Sequence, residues 1–151
     1  DLGVVPAAAA AEYLLDLAAE GSGSGARAVT AAVLADSASV WRRLLAIARD
    51  SSARSRSTRH EAAFWLAQFS AAKLDGRGES FVVTDDDDDR DDPRSSAIFA
   101  LSQLRNREGI EPLLQIARTN HDARLRRKAL FWLGESVDPR AIALFGEIMG
   151  G

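Results

Sequence analysis

The chain has 151 residues, the size of one domain, which buries roughly 70% of the surface its unfolded form exposes. With 46% hydrophobic and 27% charged residues it has the composition of a packed protein, and no apolar run approaches the ~20 residues of a membrane span. The absence of cysteine excludes disulfides, thiolate zinc sites and cysteine nucleophiles. Net charge is −3, but Asp85–Asp92 (DDDDDRDD) carries seven acids and one base, leaving 18 bases and 15 acids elsewhere. That mildly basic remainder does not by itself point to nucleic acid. Residue 1 is Asp rather than Met, as expected of a processed or trimmed chain, so a targeting segment and the compartment are left unread.

Taken in order, residues 1–20 hold an Ala-rich helix from about Pro6 to Ala19. Gly21-Ser22-Gly23-Ser24-Gly25 reads as a flexible joint between it and a repeat domain over residues 26–151. Within that domain LLAIAR (44–49) matches LLQIAR (113–118), and EAAFWLAQ (61–68) matches KALFWLGE (128–135). AIFALSQL (97–104) fits the same frame, and AVTAAVLA (28–35) fits it more loosely. Equivalent alanines are then Ala28, Ala62, Ala97 and Ala129, at intervals of 34, 35 and 32 residues, an interval typical of helical repeats. The units run over about 26–50, 57–84, 93–118 and 123–149, with an acidic loop at 85–92.

Each unit resolves into two helices. In the fourth, Leu125, Ala129, Trp132 and Leu133 fall on one face of a helix from about Arg124 to Ser136. Asp138-Pro139 then supplies a capping acid and a proline where no N–H is needed, and Asp92-Pro93 repeats the device in the third unit. Pro112 is predicted in the first turn of its helix, since deeper it would break the ladder. In the second unit a first helix over about Thr58–Phe69 is clear, but residues 79–84 predict only a short helix or a loop. About nine helices are expected.

Asp-Pro-Arg followed by an aliphatic residue or Ala, together with Ala-Leu-x-x-Leu-Gly, resembles the bacterial HEAT-repeat proteins, including the HEAT-like repeats of phycobilisome lyase subunits. RRKALFWLGE (126–135) and DPRAIALF (138–145) carry the likeness best. The resemblance implies an all-α, right-handed α-α solenoid of about four helix pairs, serving as a protein-binding scaffold or an accessory subunit without catalysis. It also implies that arginines at the equivalent positions Arg59, Arg94 and Arg126 pair with an Asp of a neighbouring unit, with Asp36 and Asp138 as acceptors. Two other readings stand beside it. A nucleic-acid-binding solenoid would need a stripe of unpaired cations, and a lyase-type subunit would follow from the resemblance alone. Related bacterial HEAT proteins occur on either side of the inner membrane.

No motif for chemistry emerges, so neither cofactor nor metal nor small-molecule substrate is expected. The acidic run lacks the Gly and the terminal Glu of a calcium loop. His60 and His121 have no second histidine at helical spacing. The Gly-rich joint lacks the Lys-Ser/Thr of a phosphate loop, and no serine stands in Gly-x-Ser-x-Gly.

Two apolar features call for a partner. With Ala129 at zero on a helical wheel, Leu125, Trp132 and Leu133 lie within about 60°, whereas Phe131 lies about 200° away. Phe64 and Phe99 hold the same repeat position, so the three phenylalanines are expected off the core, either exposed or covered by a neighbouring helix or another chain. In the last helix Ile142, Leu144, Phe145, Ile148 and Met149 span an arc of about 160°. Leu144 and Ile148 are there expected to meet another subunit, a second copy of the chain, or residues beyond Gly151 in a longer parent chain.

Overall fold

A computed structural model of the protein describes residues 3–20, 24–36, 40–50, 56–74 and 92–151. Among these residues every regular element is helical: α1 (Ala7–Ala19), α2 (Gly25–Ala35), α3 (Trp41–Arg49), α4 (Arg56–Leu74), α5 (Pro93–Ser102), α6 (Ile110–Thr119), α7 (Ala123–Ser136) and α8 (Pro139–Gly150), with a short 3-10 turn at Arg105–Arg107. The expected second helix of the second unit, at 79–84, and residues 85–91 of the acidic run lie outside the described residues. The chain divides into two compact units inside α4, Asp1–Leu66 and Ala67–Gly151.

In the first unit the Ala-rich helix does not stand apart. α1 buries Ala11, Leu15 and Ala18, spaced four and three residues apart, and packs against α2, which buries Val29, Ala32 and Val33. Small side chains on both seams let the two backbones come close. Gly25, expected in a flexible joint, is instead the buried first residue of α2, where a side chain would collide with Thr58. Of the expected joint, residues 21–23 lie outside the described residues. Arg43 of α3 fixes the outer side of α1 through Glu12 at 2.8 Å and Asp16 at 2.6 Å. These groups are solvent-accessible, so each pair contributes roughly 0.2–1 kcal/mol.

The second unit has a larger apolar interior. Ile98, Ile110, Leu113, Leu114, Ala117, Leu125, Ala129, Leu130, Leu133, Ile142, Leu144 and Phe145 are all buried. α7 packs on α5, α6 and α8, and α6 also contacts α5 and α8. Pro112 sits in the first turn of α6 as the sequence predicts. Each of α5, α7 and α8 opens on an aspartate whose side chain accepts the backbone N–H two residues on: Asp92 from Arg94, Asp122 from Arg124 and Asp138 from Arg140.

Two turns use left-handed backbone. Between α5 and α6, Asn106 and Arg107 have φ of 57° and 59°; between α7 and α8, Val137 has φ 50°. A β-branched residue there is strained, because its Cβ crowds the carbonyl oxygen. α6 and α7 are joined by only Asn120, His121 and Asp122. The Asn120 side chain accepts the Asp122 N–H at 2.8 Å, and Arg126 reaches back to donate to the carbonyls of Asn120 and His121 at 2.8 and 3.2 Å. Arg126 thus holds this turn by its backbone.

Candidate functional site

The FW dyad recurs at residues 64–65 and 131–132, and its two copies have different surroundings. Neighbouring residues on a helix point about 100° apart, which sets their rings edge to face. Phe64 and Trp65 have centroids 5.4 Å apart at 80°; Phe131 and Trp132, 5.1 Å at 81°. In the first unit the indole is closed off: Trp65 Nε1 donates to Glu61 at 3.1 Å, and the same carboxylate oxygen accepts the Thr30 hydroxyl at 2.7 Å. Phe64 and Trp65 are both half-buried.

The second unit lacks that closure. The repeat equivalent of Glu61 is Lys128, which has no acceptor to offer, and Trp132 Nε1 is a buried donor without a hydrogen-bond partner. Beside Trp132 stands Phe99 of α5, 5.3 Å away between centroids and inclined at 60°. Phe99 is 48% exposed, while Phe131 and Trp132 are half-buried. The structure therefore gathers Phe99 and Phe131 about Trp132. Phe64 belongs to the other unit and is described only with its own dyad. Trp132, placed by its wheel position with the core, lies at the core boundary and is the centre of the cluster. The substitution of Lys128 for the acid of the other repeat was the signal in the sequence that could have shown this.

The terminal helix differs from expectation. Leu144 is only 2% exposed and is covered by the chain itself, so it presents no surface to a second molecule. Ile148 is half-buried. The expectation rested on the width of the apolar arc, but Ile142, Leu144 and Phe145 are all taken into the unit's own interior. Lys73 of α4 donates to the carbonyls of Met149 at 2.9 Å and Gly151 at 3.2 Å, a cation placed where the last turn of a helix has free acceptors.

Many of the arginines in this unit are engaged within it. Arg94 binds its own cap Asp92 at 3.0 Å and reaches Asp122 at 3.6 Å, which also pairs with Arg124 at 3.4 Å. Asp138, 2% exposed, accepts from Arg107 at 3.0 Å and from the Arg140 side chain at 3.1 Å. Burial pushes the Asp138 carboxyl up, but the hydrogen bonds from Arg140 and Arg107 outweigh it and hold the group below the usual carboxylate value. The Arg94 side chain lowers Asp92 in the same way, and the Arg124 backbone N–H lowers Asp122.

Among the described residues no three His, Asp or Glu side chains group as a metal site would require, and no helix is long and apolar enough to cross a membrane. No curated protein and no solved structure matches the chain. Residues 93–119, which are α5, the 3-10 turn and α6, match the family model of the PBS lyase HEAT-like repeat. The chain thus carries a HEAT-like repeat, set in a fold that is helical throughout the described residues.

Proposed function

We propose that the protein is a non-catalytic scaffold of the bacterial HEAT-like kind, a right-handed α-α solenoid that binds a protein partner through the α5–α7 aromatic cluster. The single observation that carries this reading is Phe99. A large aromatic side chain left 48% exposed beside two others is an expensive surface to keep in water and a good anchor for a partner. The match over α5 and α6 supports the reading, because such repeats are packing units whose exposed helix faces are free to vary. The engagement of Arg94, Arg107, Arg126 and Arg140 with acids and carbonyls of their own unit weighs against a stripe of free cations for nucleic acid.

The test replaces Phe99 by serine, a change at an exposed position that leaves the interior intact. A photo-crosslinking residue at position 99 in the native host is expected to capture a defined partner, and Phe99→Ser is expected to weaken that complex at least tenfold. Capture of a second copy of the chain, with a sedimentation coefficient that falls on Phe99→Ser, would identify the partner as the protein itself. Binding unchanged by both Phe99→Ser and Phe131→Ser would remove the cluster from the interface.

A further inference from the structure

We draw no further inference here: the strongest candidate, the aromatic cluster of Phe99, Phe131 and Trp132 on α5 and α7 with its buried unpaired indole N–H, belongs to the site already described, and nothing in the structure shows what covers it.

Discussion

Replacing Gly109 by alanine sets two effects of opposite sign against each other. Gly109 precedes α6 with φ −78° and ψ −12°, a conformation open to any residue. Chain entropy alone would therefore make the alanine variant more stable, by about 0.4–1 kcal/mol. A Cβ at this position, however, would overlap the carbonyl oxygen of Leu101 and stand 2.6 Å from its carbonyl carbon and 3.2 Å from its Cα. All three are backbone atoms at the end of α5, so no rotamer change gives relief, and α5 and α6 must part. Overpacking of a well-packed interior costs roughly 1–3 kcal/mol when side chains can adjust, so a backbone collision places Gly109→Ala at about 3 kcal/mol or more. Gly25→Ala is the matched control. There the Cβ would overlap the Thr58 hydroxyl, the movable end of a side chain, and its nearest backbone atom is the Ala18 carbonyl oxygen at 3.3 Å. Entropy gain and displacement nearly offset each other, and a net change within about 1 kcal/mol is expected. Urea unfolding followed by far-ultraviolet circular dichroism reads both variants. A Gly109→Ala midpoint at or above that of the wild type would refute the steric argument, as would a larger loss at Gly25.

Asp138→Ala removes the acceptor of the Arg140 N–H at 2.9 Å and is expected to cost about 1–2 kcal/mol, whereas Asp138→Asn keeps a cap and should cost less than half as much. Because the Asp138 carboxyl is held below its ordinary value of 3.8, its contribution is present above that pH and is lost as pH falls through the lower folded value. The advantage of wild type over Asp138→Asn should accordingly vanish in that acid range, and an advantage that grows on acidification would reverse the assignment. Lys128→Glu places at Trp132 the carboxylate that serves Trp65, and a gain of about 0.5–1.5 kcal/mol is expected in thermal unfolding, with a lower midpoint counting against the comparison of the two dyads. Val137→Asn exchanges a β-branched residue for one that tolerates φ near 50°, so the midpoint should rise by the equivalent of up to about 1 kcal/mol, and a clear fall would show that Val137 contributes more by packing than it loses by strain.

The features legible in the sequence are those set within a few residues. Asp92-Pro93 and Asp138-Pro139 announce helix starts because the capping oxygen, the bonded N–H and the proline lie within three residues of one another. The likeness of EAAFWLAQ and KALFWLGE shows the repeat because their equivalent alanines, Ala62 and Ala129, are both fully buried and answer the same packing demand, whereas Ala28 of the looser first copy is only half-buried. What escaped depends on which neighbour arrives. Gly25 looked like part of a linker because Gly and Ser dominate residues 21–25, and composition does not distinguish freedom from a close approach by Thr58. The wheel gave the direction of Trp132 but not the arrival of Phe99 on its edge, and it gave the apolar arc of α8 without showing that the unit's own interior takes in Leu144. The bonds from Arg126 to the carbonyls of Asn120 and His121 were not legible either, because they depend on how the α6–α7 turn presents those carbonyls.

That turn also bears on how the chain folds. The bonds closing it, from Asp122 to Asn120, from Arg124 to Asp122 and from Arg126 to Asn120, span only two to six residues. Loop-closure entropy is small at such separations, so docking α6 on α7 is a cheap tertiary step, needing no element from elsewhere in the chain. Contacts of low sequence separation form fast. The α6–α7 hairpin is therefore the expected nucleus of the second unit: in stopped-flow kinetics, substitutions at Asn120 or Asp122 are expected to slow refolding, and those at the α5 edge chiefly to hasten unfolding.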